Sequence, residues 1–243
     1  MINIVIPMAG MGSRFASAGY AKPKPFIDVD RKPMIVRVLE NLAHPGARYI
    51  LIARKEHLEA EAELVRQIEQ EFNAVFIALD QLTEGTACTV LYARKFINND
   101  DALLIANSDQ LVDMRIGDFI DDCARRQLDG SILTFLDERR DPKWSFARID
   151  DQGLVVEVQE KRAISEYATV GIYLYQRGRD FVDAAVDMFI ARDRVNQEYY
   201  TCPTYNYAIR AGLRIGLYNI DVQQMHGLGT PEDLNAYLRS VQA

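Results

Sequence analysis

Two glycines and two cations near the start of the chain have the types and spacing that suit binding of a polyphosphate. Gly10 and Gly12 lack a Cβ atom, so backbone N–H groups beside them can approach a charged ligand closely. Arg14 and Lys24 follow in the same stretch and can stabilise negative charge on phosphate oxygens. The pattern therefore predicts a polyphosphate-binding loop.

Other readings of the two glycines fit the sequence less well. A dinucleotide loop needs a third glycine where Phe15 stands, and an acidic residue where the chain reads Ala53-Arg54. A Walker A loop needs a Gly-Lys-Ser/Thr triplet, which this stretch lacks. The glycines could also only shape a tight turn, but Arg14 and the prolines that flank Lys24 favour binding. Those prolines are expected to hold Lys24 in extended backbone rather than in a helix.

This stretch resembles the signature of the nucleotidyltransferases that activate sugar 1-phosphates, the NDP-sugar pyrophosphorylases. That family carries a GxGxR loop and then a PKP triplet, which stand here as Gly10-Met11-Gly12-Ser13-Arg14 and Pro23-Lys24-Pro25. The resemblance implies that Arg14 and Lys24 are catalytic, stabilising charge on the α-phosphate and on the departing pyrophosphate. It also implies that the loop wraps the triphosphate through Ala9, Gly10, Gly12 and Ser13.

Composition limits the class of protein and its partners. With 243 residues and 49% hydrophobic content, the chain can bury one core and is expected to form a single domain. A net charge of −7 argues against nucleic acid or an anionic membrane as partner. The widely spaced Cys88, Cys123 and Cys202, without a signal peptide or membrane-length apolar run, predict reduced thiols in a cytoplasmic protein.

Apolar runs alternate with amphipathic stretches along most of the chain, which predicts an α/β fold with a doubly wound, mostly parallel, Rossmann-like sheet. A period-two pattern at 146–150 and 154–159, with a turn at 151–153, predicts an inserted β-hairpin region. We expect residues 1–136 to bind mainly the nucleotide and residues 137–243 mainly an acceptor. Predicted strands cover 2–6, 49–53, 74–79, 102–106, 130–136 and 169–175. Predicted helices cover 33–43, 56–72, 83–96 (of which 83–87 is a polar turn that caps the helix) and 179–191.

The strand at 102–106 runs into Asn107-Ser108-Asp109, and ligands of such sheets bind where the strands end. A carboxylate beside triphosphate oxygens would be repelled unless a divalent cation lay between them, so Asp109 is predicted to bind Mg²⁺. Alternatively, Asp109 caps a helix that begins near Arg115, or Asp113 is the ligand. By resemblance, one aspartate at this strand end binds the metal and Asn107 lies at the nucleotide. A glycosyltransferase would more often show Asp-x-Asp here, which counts against sugar transfer.

Two later segments resemble other parts of the same family. Gly85-Thr86 resembles the segment that lies against the nucleotide base, although the pair could simply begin a helix. Glu160-Lys161 and a following strand with Gly171 resemble the acceptor site. There Lys161 would hold the acceptor phosphate, Glu160 a hydroxyl or amine, and Gly171 would leave room for the acceptor body. The alternative for Glu160 and Lys161 is an exposed ion pair. Tyrosines at 199–205 could pack or could contact a ligand.

The end of the chain departs from the family pattern. Gly227 stands where many members have a second metal-binding aspartate, so Asp109 would act with water and phosphate, or with Asp221 or His226. The resemblance predicts a Mg²⁺-dependent nucleotidyltransferase that joins a nucleoside triphosphate to a small phosphorylated acceptor. It points to a subgroup associated with capsule and surface polysaccharides. A CTP-dependent enzyme with a non-sugar acceptor, a catalytically silent nucleotide-sugar-binding protein and a homo-oligomer all stay open.

Overall fold

The computed structural model describes residues 1–242, in which strands and helices alternate. The strands are β1 (Ile2–Pro7), β2 (Asp28–Val29), β3 (Lys32–Pro33), β4 (Ala47–Arg54), β5 (Ala74–Leu79), β6 (Ala102–Ala106), β7 (Gln110–Val112), β8 (Gly130–Leu136), β9 (Ser145–Ile149), β10 (Val155–Glu160), β11 (Tyr167–Tyr175), β12 (Ile215–Ile220) and β13 (Met225–Gly227). The helices are α1 (Ser13–Ser17), α2 (Met34–Asn41), α3 (Lys55–Ala60), α4 (Ala62–Glu71), α5 (Thr86–Leu91), α6 (Arg94–Ile97), α7 (Ile116–Arg125), α8 (Gly178–Ile190), α9 (Thr204–Arg210) and α10 (Pro231–Gln242).

The central sheet has nine strands, seven of them in the order β10-β9-β11-β6-β1-β4-β5, and β8 joins β11 to β12. Strand β1 is parallel to β4 and β6, and β4 is parallel to β5. Strand β11 is antiparallel to β6, β8 and β9. The predicted Rossmann-like α/β fold is confirmed, with a parallel half that carries the first strands and an antiparallel insertion beside it.

Strand β1 is buried on both faces of the sheet. Ile4 and Ile6 belong to the core on one face, whereas Val5 belongs to the core on the other, and all three are fully buried. Successive side chains of a strand point to opposite faces, so a strand covered on both sides reads as a continuous apolar run. This burial fixes the position of the loop that follows Pro7.

Two of the predicted helices are each divided in the structure. The helix predicted for 56–72 is α3 and α4, because Glu61, with φ −116° and ψ 32°, leaves helical geometry between them. The helix predicted for 83–96 is α5 and α6, because a tighter bond from the Ala93 N–H to the Val90 carbonyl (2.9 Å) ends the first one. No helix within residues 1–242 is both long and apolar enough to cross a membrane.

The predicted hairpin is present as the antiparallel pair β9 and β10. The sequence did not indicate the short antiparallel pair β7 and β13, in which Gly227 lies opposite Gln110. It also did not indicate β12, which runs parallel to β8. The β7–β13 pair brings residues 225–229 to the loop that follows β6.

Candidate active site

The loops that follow β1 and β6 open into one cavity of about 350 Å³. The two strands are parallel neighbours, with Val5 opposite Ile105, so their carboxyl ends lie at the same edge of the sheet. Of the residues singled out in the sequence, this cavity brings together Gly10, Gly12, Ser13, Arg14, Lys24, Thr86, Asn107 and Asp109.

Gly12 allows the loop after β1 to pass directly beside Lys24. Its φ of 60° lies in the left-handed region, and a Cβ there would be 3.1 Å from the Cβ of Lys24. Lys24 was expected to be extended, and this is wrong, because Lys24 begins a 3-10 turn that ends at Phe26, whereas Pro23 before it is extended. The turn closes because the Phe26 N–H donates to the Pro23 carbonyl at 2.9 Å.

Lys24 and Asp109 form an ion pair across the cavity, between Nζ and Oδ2. Both side chains are mostly buried, with exposed fractions of 20% and 23%. The Asp109 carbonyl accepts a hydrogen bond from the Leu228 N–H at 2.8 Å. Gly229 lies so close that a Cβ there would be 3.1 Å from Oδ2 of Asp109. Asp109 does not cap helix α7, because Arg115 is the residue before that helix and no side chain caps it. Asp109 lines the cavity instead.

Asp221 and His226, the candidates for a second metal ligand, each make a hydrogen bond or close contact to another residue. Asp221 accepts the N–H of Gln223 as the cap of a 3-10 turn, and Nε2 of His226 is 2.8 Å from Oδ2 of Asp113. A Cβ at Gly227 would meet no atom within 4 Å. Within residues 1–242, no three His, Cys, Asp or Glu side chains are grouped as a metal site.

A second cavity of about 250 Å³ adjoins the first, and Thr86 and Asn107 line both. Its wall carries the predicted acceptor residues Glu160 and Gly171. The two cavities thus adjoin at Thr86 and Asn107, and groups bound in them would lie on either side of these two residues.

The carboxylate of Glu160 lies at the end of β10 and accepts a hydrogen bond from the Ser145 hydroxyl. Burial raises the pKa of Glu160, and the opposing effects of Ser145 and Lys161 are smaller. Lys161 does not form the ion pair that was the alternative expectation. Its ammonium instead donates to the Tyr200 hydroxyl at 2.6 Å and lies 4.6 Å from the centre of that ring. The hydrogen bond to Tyr200 raises the pKa of Lys161.

Gly171 has a φ of 93°, and a Cβ there would collide with the side-chain amide of Asn107. The Asn107 N–H also donates to the Gly171 carbonyl at 3.2 Å. The room at Gly171 is therefore occupied by Asn107, whereas the sequence led us to expect it to be free for an acceptor. The register of β11 against β8 shifts between Thr169 and Tyr173, which is where this irregularity is accommodated.

Gly85 and Thr86 hold a later segment of the chain in place. A Cβ at Gly85, whose φ is 125°, would collide with the backbone of Tyr199, and the Ala87 N–H donates to the Tyr199 carbonyl at 3.0 Å. The Thr201 N–H donates to the Thr86 hydroxyl at 3.1 Å. Residues 199–201 are thereby fixed beside both cavities.

Some of the predicted site residues lie outside the two cavities, and some residues that line the cavities were not predicted. Ala9 is buried in the core, and Gly85 lines neither cavity. Lys161 lines neither cavity itself, but its ammonium bonds to Tyr200 in the wall of the second one, which places it at the rim. The tyrosine-rich segment divides, since Tyr200 lines the second cavity whereas Tyr205 stacks on a neighbouring ring in the core. No role was predicted for the other wall residues, although Pro25 lies in the Pro-Lys-Pro triplet and the strand that carries Gly171 supplies three of them. They are Pro7, Met8, Phe15, Pro25, Ser108 and Gly229 in the first cavity and Lys143, Trp144, Ser145, Thr169, Val170, Tyr173, Thr201 and Cys202 in the second.

Solved structures share this fold over the whole chain. The nucleoside-diphosphate-sugar pyrophosphorylase from Vibrio cholerae RC9 superposes with a TM-score of 0.80 at 25% sequence identity, covering 97% of this chain and 99% of that one. A chain from Bacillus anthracis superposes with a TM-score of 0.77 at 20% identity, covering 100% and 96%. The fold places this chain in the class of α/β proteins with a mostly parallel, Rossmann-like central sheet.

Sequence comparisons identify the family. Residues 4–199 match the family model for nucleotidyl transferases, and the chain belongs to that family. A mannose-1-phosphate guanyltransferase from Yarrowia lipolytica is 30% identical over 112 residues, which are 45% of this chain and 31% of that protein. A mannose-1-phosphate guanylyltransferase catalytic subunit beta from Drosophila pseudoobscura pseudoobscura is 24% identical over 179 residues, 70% of this chain and 47% of that protein. This chain thus spans from about a third to half of these curated relatives.

Proposed function

We propose that this chain transfers a nucleotidyl group from a nucleoside triphosphate to a sugar 1-phosphate or a related phosphomonoester, with release of pyrophosphate. The observation that supports this reaction is that the two cavities adjoin and share Thr86 and Asn107. The cavity with Arg14, Lys24 and Asp109 meets the cavity with Glu160 at Asn107. A triphosphate in the first cavity and an acceptor in the second would bring their reacting phosphates to that boundary. Membership of the nucleotidyl transferase family supports the same class of reaction.

In this reaction an ionised oxygen of the acceptor phosphate attacks the α-phosphorus of the triphosphate. The bond to pyrophosphate breaks in line, and pyrophosphate leaves with the electron pair. Because the attacking oxygen is already ionised, the protein needs to supply only positioning and charge stabilisation. Lys24 and Arg14 would stabilise the charge on the α-phosphate and on pyrophosphate. Lys161, at the rim of the second cavity, would hold the acceptor phosphate.

The first cavity fits Mg²⁺ as a cofactor. Mg²⁺ is commonly held by one or two carboxylates together with water and substrate phosphates, and Asp109 supplies one such carboxylate. The ammonium of Lys24 already pairs with this carboxylate, so the position favours a cation. Asp109 would hold the ion, which when bound would neutralise charge on the triphosphate oxygens.

The same proposal assigns the two substrates to different parts of the chain. Residues 1–136 would bind mainly the nucleotide and residues 137–243 mainly the acceptor, within one domain. The division is not strict, because Gly229 lines the first cavity and Thr86 lines the second. A cytoplasmic location, a role in capsule or surface-polysaccharide biosynthesis and homo-oligomer formation stay predictions from the sequence.

The experiment that tests the proposal is a panel of CTP, UTP, dTTP, GTP and ATP. Each is incubated with candidate phosphomonoesters and Mg²⁺, and pyrophosphate is measured. We expect acceptor-dependent pyrophosphate with at least one pair. Transfer or hydrolysis of a nucleotide sugar without pyrophosphate would instead identify a glycosyltransferase. Binding of a nucleotide sugar without turnover would identify a silent binding protein, which the glycine at 227 favours.

A further inference from the structure

We infer that the acceptor, if the proposed transfer is correct, is a phosphomonoester that also carries a protonated amine. In this assignment the ammonium group binds between Glu160 and the aromatic rings of the second cavity, while the phosphate faces Asn107 and Lys161. The acceptor would thus be a zwitterion with its positive end inside the cavity.

The first observation is that Glu160 is a buried carboxylate without a cation against it. Its hydrogen bond comes from Ser145, a neutral hydroxyl. The charged groups that act on it are Lys161 and Glu198, and the latter is a second anion. The ammonium of Lys161 bonds to Tyr200 instead of to Glu160. Lys143 also lines the cavity, but its ammonium lies over the Trp144 ring. Burial raises the pKa of Glu160 because no neighbouring cation fully offsets the loss of water.

The second observation is that aromatic rings surround this carboxylate. Trp144, Tyr173 and Tyr200 line the same cavity. Aromatic faces attract ammonium groups, most strongly where water is excluded. Two of these rings already have a lysine ammonium over them. Nζ of Lys143 lies 4.8 Å from the centre of the Trp144 ring, and Nζ of Lys161 lies 4.6 Å from that of Tyr200.

The third observation is that the hydroxyls of the wall are bonded to one another. Thr169 and Tyr173 share a hydrogen bond of 3.2 Å, and the hydroxyl of Thr201 donates to that of Thr86 at 3.1 Å. The Ser145 hydroxyl is used by Glu160. A neutral polyhydroxyl acceptor would have to compete with these bonds, whereas an ammonium group would meet the free oxygen of a carboxylate.

The test compares acceptors that differ only in an ammonium and a hydroxyl group. The pairs are 2-aminoethyl phosphate with 2-hydroxyethyl phosphate, and glucosamine 1-phosphate with glucose 1-phosphate. We expect kcat/KM for pyrophosphate release to favour an amine by roughly tenfold to a hundredfold, the range of one charge-assisted hydrogen bond. Glu160→Gln should remove this preference. Glu157→Gln, on the same strand but paired with Arg148 outside the cavity, should keep it.

A binding measurement separates failure of this inference from failure of the proposed reaction. Trp144 is the single tryptophan of the chain and lines the cavity, so its fluorescence reports occupancy directly. Tighter binding of the amines to the wild-type protein, lost in Glu160→Gln, would support the inference. If no pyrophosphate formed in that case, only the transfer reaction would be refuted. Equal or tighter binding of the hydroxyl compounds, with or without pyrophosphate release, would overturn the inference.

Discussion

The side-chain amide of Asn107 occupies the space in which a Cβ of residue 171 would lie, and Gly171 leaves that space open. The same amide lines both cavities, at the boundary where the α-phosphate and the acceptor phosphate would meet. Gly171 thereby leaves room for Asn107 at the boundary between the two cavities.

This relationship predicts strong coupling between the two positions. Gly171→Ala should lower kcat by about a hundredfold, the loss that a 1 Å misplacement of a catalytic group can cause. In an Asn107→Ala background the same substitution should lower kcat much less, because no amide remains to be displaced. The measurement is a double-mutant cycle on kcat. Additive losses in the two backgrounds would contradict this prediction. Gly171→Ala should lower the thermal unfolding temperature in both backgrounds, because an alanine at residue 171 is strained in each.

Lys24→Ala tests charge stabilisation. We expect kcat to fall by roughly a hundred- to a thousandfold, or about 2.7–4 kcal/mol, because one preorganised cation at the reacting phosphates is lost. Lys22→Ala is the matched control, since Lys22 pairs with Asp28 at 3.4 Å and does not line the cavity. Steady-state pyrophosphate release at saturating substrates gives both values. A Lys24→Ala enzyme as fast as the Lys22→Ala enzyme would exclude the proposed role.

Gly227→Asp tests the metal requirement. A side chain at 227 meets no atom within 4 Å. Gly227 is the last residue of β13, and Gly229, two residues further along the chain, lies against Asp109. A second carboxylate should lower the Mg²⁺ concentration for half-maximal rate by roughly tenfold. Gly153→Asp adds the same charge at the β9–β10 turn and should leave the Mg²⁺ dependence unchanged. An unchanged dependence in Gly227→Asp as well would refute a metal site on Asp109 beside this segment.

The buried carboxylate of Glu160 predicts an unusual dependence of stability on pH. Its folded-state pKa lies above the ordinary value of 4.5, so the folded protein binds this proton more readily than the unfolded chain. Ionised Glu160 therefore destabilises the fold at neutral pH, and this penalty disappears as pH falls through the folded pKa towards 4.5. Glu160→Gln should raise the free energy of unfolding at pH 7 and change it little at pH 4.

Glu157→Gln is the matched control with the opposite sign. The Arg148 hydrogen bond lowers the pKa of Glu157 below 4.5, so its contribution is present above 4.5 and is lost as pH falls through its folded pKa. This substitution should lower stability at pH 7. Urea unfolding at the two pH values measures both variants, and the same sign for both would show that the burial of Glu160 is misassigned.

The first half of the site could be read from the sequence because its elements are local. A β-branched run, two glycines and a Pro-Lys-Pro triplet lie within 27 residues, and parallel strands carry their loops to one edge of the sheet. The strand predicted for 102–106 has the bounds of β6, and Asp109 lies in the cavity as its place after that strand implied.

The rest depends on contacts between distant segments, which no local pattern records. Tyr200 reaches the second cavity because Gly85 lets the Tyr199 backbone lie against it, more than a hundred residues away in sequence. Gly171 was predicted to leave room for the acceptor, but the space beside it is filled by the side chain of Asn107, which follows another strand. Local propensity likewise gave no sign that Glu61 would divide a predicted helix.

The central claim is that an oxygen of the acceptor phosphate attacks the α-phosphorus. An acceptor labelled with ¹⁸O in its phosphate group, turned over with the best triphosphate of the panel, tests this directly by ³¹P NMR of the product. We predict isotope-shifted signals for both phosphorus atoms of a new diphosphate bridge, with ¹⁸O in the bridging position and unlabelled pyrophosphate released. Recovery of unchanged acceptor together with nucleoside monophosphate that carries an oxygen from water would contradict the claim.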